Sequence, residues 1–147
     1  MILVDTSIWI DFLIDPTRLP EVEVHLPDVV TCGPVVQEVT QGFADENLLG
    51  PFRERLLAIP CLSDPLPLAL FLEGASIYRS GRRRGYTIRS TVDCLIAAIA
   101  IDNDVPVWHR DRDFTAIARY TPLKVFSRAA LRAPRSATPA GSLPDRA

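Results

Sequence analysis

Short apolar segments of strand length alternate with longer segments of helical periodicity along most of this chain of 147 residues. The predicted strands cover residues 1–5, 29–32, 59–62, 105–109 and 123–126. Chains that alternate strands with helices fold as α/β proteins in which the sheet is largely parallel. The pattern therefore predicts an α/β fold with a parallel sheet.

Helices are predicted in the intervals between these strands. They extend to about residue 13 after the first strand, begin again at residue 33, and then cover residues 45–58, 67–79, 90–101 and 114–118. The helix over residues 67–79 has apolar residues at helical spacing, namely Leu68, Phe71, Leu72 and Ala75. The helix that Ser90 opens is apolar nearly all round from Val92 to Ile101, which is typical of a central, buried helix.

The final segment differs in composition from the rest of the chain. Residues 133–147 are rich in Pro, Ser, Ala and Gly, and Leu143 is their only large apolar residue. Such a segment buries too little apolar surface to offset the entropy lost on ordering it. We therefore expect one folded domain over residues 1–132 and a disordered tail over residues 133–147.

Composition and charge are those of an ordinary soluble protein, with 48% hydrophobic and 23% charged residues. A net charge of −2 gives no global attraction to nucleic acid, so any such binding must depend on a local basic patch. Cys32, Cys61 and Cys94 are widely spaced, which fits buried reduced thiols better than disulfides or a zinc motif. Reduced thiols favour a cytoplasmic location, as does the lack of a signal-peptide pattern or a membrane-spanning apolar run.

Four acidic residues stand beside or inside apolar runs that should be buried: Asp5, Glu38, Asp93 and Asp111. A buried carboxylate costs free energy unless a cation or a hydrogen-bond donor meets it. Each acid also has an ordinary explanation. Asp5 and Asp93 can cap helices, Glu38 can be solvated, and Asp111 can pair with a neighbouring arginine.

Considered together, the four acids indicate a single site. Asp5 and Asp111 follow predicted strands, which places them at the carboxyl edge of the sheet, where open α/β sheets bind ligands. Glu38 and Asp93 lie in the first turns of helices, and those helix ends can face the same edge. Carboxylates this close repel one another, and a hard divalent cation such as Mg²⁺ or Mn²⁺ removes the repulsion. The sequence therefore predicts a metal-binding cluster.

Four segments, in this order, resemble the PIN-domain ribonucleases. They are an apolar strand ending in Asp-Thr-Ser (VDTS), a helical Glu near residue 40, an Asp that opens an alanine-rich helix (VDCLIAAIA), and a late RDRDF. The length and pattern are most similar to the VapC-type toxins of bacterial toxin–antitoxin pairs, and the resemblance covers about residues 1–130. It implies a three-layer α/β/α fold with a central, mostly parallel sheet of four or five strands. The implied activity is Mg²⁺-dependent endoribonuclease cleavage, with Mn²⁺ as a substitute.

The resemblance also implies roles for individual residues. It assigns the acidic site to Asp5, Glu38, Asp93 and Asp111, with Asp5 and Asp93 in direct contact with the metal. The supporting candidates are Thr6, Ser7 and Asp113. Whether Asp111 or Asp113 is the fourth acid stays open, as does the number of metal ions. His109 replaces the small hydroxyl residue of many family members, and we interpret it as the end of a strand rather than an RNA contact.

A basic stretch immediately precedes the predicted helix of Asp93. Its members are Arg79, Arg82, Arg83, Arg84 and Arg89, which cluster around Gly81, Gly85 and Tyr86. Guanidinium groups grip phosphate and Tyr86 can stack on an unpaired base, so we expect this stretch to line the approach of RNA. The alternative is a solvated helix end whose basic residues complement the helix dipole.

The same resemblance implies two protein partners. VapC-like proteins are typically homodimers, and a VapB-type antitoxin neutralises them by placing its C-terminal segment in a groove near the acidic site. Candidates for an apolar partner surface are Trp9, Phe12, Phe43 and Phe71, although burial in the core explains them equally well. The expected substrate is a structured RNA with an exposed loop, such as tRNA or rRNA.

Three rival classes can be compared with the same residues. A phosphatase of the haloacid-dehalogenase type requires a second Asp where Ser7 stands. A two-component receiver domain requires adjacent acids after the first strand, and only its late lysine has a counterpart, Lys124. A non-catalytic PIN-fold module that binds RNA or protein stays open as the alternative function, and the intact acid set argues against it.

Overall fold

A four-stranded parallel sheet forms the centre of the fold. The computed structural model describes residues 1–15, 17 and 25–127. The strands are β1 (Ile2–Val4), β2 (Val29–Cys32), β3 (Cys61–Leu62) and β4 (Val107–Trp108). They lie in the order β3-β2-β1-β4, with β1 and β2 in the centre and every pair parallel. The predicted α/β class and the parallel sheet are confirmed.

Helices flank this sheet and connect its strands. They are α1 (Thr6–Ile14), α2 (Gly33–Gln41), α3 (Glu46–Leu57), α4 (Leu68–Arg83), α5 (Thr91–Asp102) and α6 (Arg112–Ile117), with a short 3₁₀ helix at Leu26–Asp28. Side chains cap the first turns of α1, α3, α5 and α6, and the capping residues are Asp5, Asp45, Ser90 and Asp111. These caps satisfy backbone N–H groups that a helix leaves without partners at its start.

The predicted fifth strand is shorter in the structure than the sequence suggested. Within residues 123–126 only Val125 forms a β-bridge, which is parallel to Val107 of β4. The N–H of Val107 donates to the carbonyl of Lys124 at 2.9 Å, and the N–H of Phe126 donates to the carbonyl of Val107 at 2.8 Å. The segment therefore extends the sheet edge by one bridge.

Helix α4 is one turn longer than predicted, because its stop signal lies at Gly85 rather than at Arg79. Gly85 adopts a positive φ of 80°, and its N–H donates to the carbonyl of Arg82 at 3.1 Å. The N–H of Tyr86 reaches back to the carbonyl of Gly81 at 3.0 Å. This pair of bonds with a left-handed glycine is the Schellman ending of a helix.

Helix α5 is central and buried, as predicted. Its buried residues are Asp93, Cys94, Ile96, Ala97, Ala98, Ile99 and Ala100. It packs closely on α4 because Gly74 has no side chain, and a Cβ there would lie 3.2 Å from the Cα of Leu95. The small residue thus sets the distance between the two helices.

The apolar spacing that predicted α4 does not mark its buried face. The core contacts of α4 come from Leu70, Gly74, Ile77 and Gly81. By contrast, Leu68, Phe71 and Leu72 are 74%, 48% and 65% exposed. The inner face thus combines two glycines with Leu70 and Ile77, and α4 carries a second apolar stripe that faces outward.

Within the part of the chain that the structure describes, no helix has the length and apolar character needed to cross a membrane. The tail expected over residues 133–147 lies outside the described residues. The domain boundary at residue 132 also lies there, and it stays a prediction.

We predict that Gly74→Val lowers the free energy of unfolding by about 1–3 kcal/mol, because the added carbons must displace the backbone of Leu95. The control is Gly42→Val at the C-cap of α2, where the nearest atom to an added Cβ would be the carbonyl oxygen of Val39, at an ordinary contact distance of 3.5 Å. It should change stability by no more than about 0.5 kcal/mol. Urea denaturation of both variants measures the difference, and equal effects would contradict the packing argument.

Candidate active site

Asp5 lies at the carboxyl edge of the sheet, where β1 and β4 end together. Its N–H donates to the carbonyl of Trp108 at 2.9 Å. Its buried carboxylate accepts hydrogen bonds at Oδ2 from the N–H of Ser7 (3.0 Å) and from the hydroxyl of Ser7 (2.6 Å). Ser7 Oγ in turn accepts from the N–H of Arg110 at 3.1 Å. Ser7 therefore orients Asp5 and ties α1 to the segment that follows β4.

Asp93 lies in the first turn of α5, directly after the cap of that helix. Its N–H donates to Ser90 Oγ at 3.1 Å. The residue is only 6% exposed, and its Oδ2 is a buried oxygen that has no hydrogen-bond partner among the described residues. Such an oxygen needs either a proton or a cation.

The pKa of Asp93 reflects its burial and the charges around it. Its pKa is raised to about 7, chiefly by burial and also by the negative charges of Asp5, Asp111 and Asp113, while a hydrogen bond with Ser90 partly offsets the rise. The three other acids therefore all lie close enough to Asp93 to disfavour its ionised form.

Asp111 and Asp113 both approach Asp93. One carboxylate oxygen from each of the three acids lies within 4.8 Å of the others. Asp111 Oδ1 accepts from the N–H of Asp113 at 2.8 Å, and the side chain of Asp111 is 39% exposed. Asp113 is buried. The guanidinium of Arg89 lies 3.6 Å from Asp111 Oδ1 and 3.5 Å from Asp113 Oδ1.

Glu38 joins the site through a different contact. It lies on α2, is half-buried, and its Oε2 accepts a hydrogen bond from the hydroxyl of Thr6 at 2.8 Å. Glu38 is not a member of the three-carboxylate group, and neither is Asp5. Thr6 and Ser7, adjacent at the start of α1, therefore each hold one of these two outer acids.

The arrangement suits a hard divalent cation. Asp93, Asp111 and Asp113 supply only carboxylate oxygens, which Mg²⁺ and Mn²⁺ prefer. A cation beside the unpartnered Oδ2 of Asp93 would compensate both its burial and the repulsion from the neighbouring acids. The described residues thus contain a site that fits the metal type expected from the sequence.

The arginines of the basic stretch divide into two groups. Arg82 and Arg83 are exposed at the end of α4, and Arg84 caps that helix and donates to Ser80 Oγ. The guanidinium of Arg84 also lies 5.8 Å from the centre of the Tyr120 ring. Arg89 instead belongs to the acidic site through its two ion pairs.

Tyr86 has one ring face already covered. Its ring stacks on Tyr120 with 5.2 Å between centroids and 25° between planes. That face is not accessible to a nucleobase, so a base can stack only on the opposite face.

His109 is packed against the core rather than directed into open solvent. Its ring lies 5.0 Å from the ring of Phe114. Burial lowers the pKa of His109, and the nearby charges of Asp5 and Asp111 oppose that shift. A packed ring that favours the neutral form agrees with the interpretation of His109 as a strand ending.

Two contacts at the site were not predicted from the sequence. Arg110 Nη1 pairs with Asp11 Oδ2 at 2.5 Å, which joins the segment after β4 to α1. Asp113 Oδ2 accepts from the N–H groups of Arg89 and Ser90 at 2.8 and 3.0 Å. For Asp11, the available signal is its position one helical turn after Ser7. No sequence pattern indicates the backbone contacts of Asp113.

A parallel α/β sheet with carboxylates gathered at its carboxyl edge forms an acidic site that could hold a metal ion. The sequence matches the PIN domain over residues 2–120. It is 36% identical over 133 residues to VapC ribonuclease Mb1587 of Mycobacterium bovis and to ribonuclease VapC11 of Mycobacterium tuberculosis, a match that covers 86% of this chain and 98% of each relative. The chain therefore belongs to the PIN-domain family and, within it, to the VapC ribonucleases.

Solved structures agree on the fold. VapBC-1 from nontypeable Haemophilus influenzae has a TM-score of 0.67 at 18% identity, covering 86% of this chain and 97% of the other. FitAcB from Neisseria gonorrhoeae has a TM-score of 0.64 at 23% identity, with the same coverage. At these identities the likeness supports the three-layer fold alone.

We predict that Asp93→Asn stabilises the metal-free protein at pH 8. A carboxyl with a raised pKa binds its proton more tightly in the folded state, so its contribution to stability falls as pH rises from about 4 to about 7. Asn carries no charge and avoids this loss. The gain should therefore shrink towards pH 4.

Thermal unfolding of wild type and Asp93→Asn in EDTA, at several pH values between 4 and 8, measures this effect. The control is Asp45→Asn, at the exposed cap of α3, which should show no such pH-dependent gain. A gain that is independent of pH would show that the charge of Asp93 is not the cause.

Proposed function

We propose that this protein is the toxin of a type II toxin–antitoxin system and acts as a Mg²⁺-dependent endoribonuclease. The observation that carries the proposal is the buried, unpartnered Oδ2 of Asp93 beside two further carboxylates. The VapC relatives, whose names describe ribonucleases, support the same reaction class. In this proposal the nuclease domain covers residues 1–132 and acts on RNA in the cytoplasm.

The acidic residues take distinct roles in this proposal. Asp5 and Asp93 bind the metal directly, and Glu38 and Asp111 complete the acidic site. When bound, the divalent cation makes water a better nucleophile at neutral pH and stabilises negative charge on the phosphate oxygens. Ser7 keeps the carboxylate of Asp5 oriented through its 2.6 Å hydrogen bond.

Thr6 orients the carboxylate of Glu38 in the same way. Its hydroxyl donates to Glu38 Oε2 at 2.8 Å, so the direction of that carboxylate is set by the first residue of α1. Thr6 and Ser7 therefore act as supports of the acids, in addition to any contact with phosphate.

The arginines give a polyanion access to an acidic site. Arg82, Arg83 and Arg84 stand at the end of α4, in the segment that leads to Arg89 and Ser90. Phosphates of a single-stranded loop can bind these guanidinium groups, and Tyr86 offers one ring face to a base. We therefore propose structured RNA with an exposed loop, such as tRNA or rRNA, as the substrate.

We predict that purified protein cleaves such RNA in Mg²⁺ or Mn²⁺ and not in EDTA. Asp5→Asn and Asp93→Asn should lower the rate by more than the roughly 10–100-fold that is typical when only an outer partner of a metal ligand is lost. Asp45→Asn should cleave at the wild-type rate, because Asp45 caps α3.

Gel analysis of labelled tRNA and rRNA measures these rates and maps the cuts. Cleavage that persists in the Asp5 and Asp93 variants would refute the assigned site. A wild type that binds these RNAs and cuts none would favour the alternative, a non-catalytic PIN-fold module that binds RNA or protein.

We further propose that the outward apolar stripe of α4 is the surface of a homodimer. Leu68, Phe71 and Leu72 are exposed on one helix. Phe71 also lines a groove of about 430 Å³ together with Val92 and Leu95 of α5. A second groove connects these three residues to Glu38, so a copy seated here would border the acidic site. Self-complementary apolar surfaces of this kind favour two-fold dimers.

A separate apolar surface suits the antitoxin. Ile10 on α1 and Leu48 on α3 are exposed, while Trp9 and Phe52 beside them join the two helices with ring centroids 6.2 Å apart. The start of α1 holds Asp5 and Glu38 through Ser7 and Thr6. An antitoxin segment bound across α1 and α3 would therefore lie next to the acidic site and could block it.

Charged substitutions on the two surfaces should separate dimer formation from antitoxin binding. Leu68→Glu with Leu72→Glu should yield monomers and leave antitoxin binding intact. Ile10→Glu with Leu48→Glu should weaken antitoxin binding and leave the dimer intact. All four side chains are exposed, so neither pair of changes opens a cavity in the core.

Analytical ultracentrifugation of each variant measures the dimer. Co-purification with the VapB-like product of a neighbouring reading frame measures antitoxin binding. If the variant with Leu68→Glu and Leu72→Glu sediments as a dimer, the stripe of α4 is not the dimer interface. Each variant is the control for the other.

A further inference from the structure

Asp113 differs from the other acids in what surrounds its carboxylate. It is 2% exposed, and its Oδ2 accepts from the N–H groups of Arg89 (2.8 Å) and Ser90 (3.0 Å). Its Oδ1 lies 3.5 Å from Arg89 Nε. Both oxygens therefore face donors from one short segment, the residues that precede α5.

These contacts lead directly to Asp93. Ser90, whose N–H binds Asp113, is also the cap of α5, and its Oγ accepts from the N–H of Asp93 at 3.1 Å. The connected groups are the Asp113 carboxylate, the Ser90 backbone, the Ser90 hydroxyl and the Asp93 backbone. Because hydrogen bonds from N–H groups to a carboxylate are among the stronger ones, this series fixes where the first turn of α5 begins.

Asp111 has the opposite character. Its side chain is 39% exposed and can be reached by a hydrated ion, although its Oδ1 also accepts from the N–H of Asp113. The three carboxylates lie within 4.8 Å of one another, yet the two that follow β4 are held differently. Asp111 faces outward, whereas Asp113 is bound to the backbone of the segment before α5.

We infer that Asp113 is a positioning residue, which holds the backbone of Arg89 and Ser90 so that Asp93 is placed to bind the metal. Asp111 is then the fourth acid of the site. This inference rests on the metal-dependent function proposed above and deepens it by assigning Asp111 to the acidic site and Asp113 to its support. Partners that orient a metal ligand typically change metal affinity by about 10–100-fold when they are removed.

The test compares Asp113→Asn with Asp113→Ala. An Asn side-chain carbonyl has two lone pairs and can accept from both N–H groups, whereas Ala accepts from neither. Asp113→Ala should therefore weaken Mn²⁺ binding by about 10–100-fold and speed hydrogen exchange at the amides of Arg89 and Ser90. Asp113→Asn should keep Mn²⁺ affinity within about threefold of wild type and keep both amides protected.

Two measurements on the full chain provide these results without any RNA. Electron paramagnetic resonance of free Mn²⁺ gives the affinity, and amide exchange followed by NMR gives the protection in metal-free protein. Asp45→Ala removes a comparable cap contact, from Asp45 Oδ1 to the N–H of Asn47 at 2.8 Å in α3, and should leave Mn²⁺ affinity unchanged. Asp93→Asn marks the effect of losing a direct ligand.

The results distinguish a positioning role of Asp113 from a role as a metal ligand. If Asp113→Asn weakens Mn²⁺ binding as severely as Asp93→Asn, Asp113 is itself a ligand and the inference is overturned. If Asp113→Ala behaves like Asp45→Ala in both measurements, Asp113 has no positioning role. Should Asp113→Ala fail to fold, the Asn variant alone decides between support and ligand. Wild-type protein that binds Mn²⁺ and cleaves no RNA would overturn the proposed function alone.

Discussion

The repulsion between carboxylates at the edge of the sheet is the constraint on which this site depends. Asp93 is poorly solvated because it is only 6% exposed, and its neighbours Asp5, Asp111 and Asp113 disfavour its charge. Hydrogen bonds within the protein orient the carboxylates of the neighbouring acids. Helix caps orient Asp5 and Asp111, and Thr6 binds Glu38. Asp5, Glu38 and Asp111 are therefore each held in position by hydrogen bonds from the protein itself.

The parallel sheet and the central α5 were predictable from the sequence. The sequence also named Asp93, Asp111 and Asp113 as candidates, and their carboxylates lie within 4.8 Å of one another, while the role of each acid stays a prediction. Alternating strands and helices fold as α/β proteins with a parallel sheet. A helix that is apolar nearly all round, such as Val92 to Ile101, is buried. The end of α4 was missed because Arg82 and Arg83 resemble a polar loop. The decisive signal was Gly85, whose positive φ completes the helix ending.

The details of the site could not be predicted from the sequence, since they depend on contacts between residues far apart in the chain. Asp113 and Ser90 are 23 residues apart, and nothing in local spacing indicates that one binds the backbone of the other. The same limit applies to the faces of α4. Helical spacing shows that Leu68 and Leu72 share a face, but the small residues opposite them determine which face is buried.

The raised pKa of Asp93 would make metal binding at the proposed site an exchange reaction. A carboxyl that titrates near neutrality still carries a proton in much of the apo population, and a cation that takes its place must release that proton to solvent. Metal binding at the proposed site would therefore depend on pH, and its measured enthalpy would include the ionisation heat of whichever buffer accepts the proton.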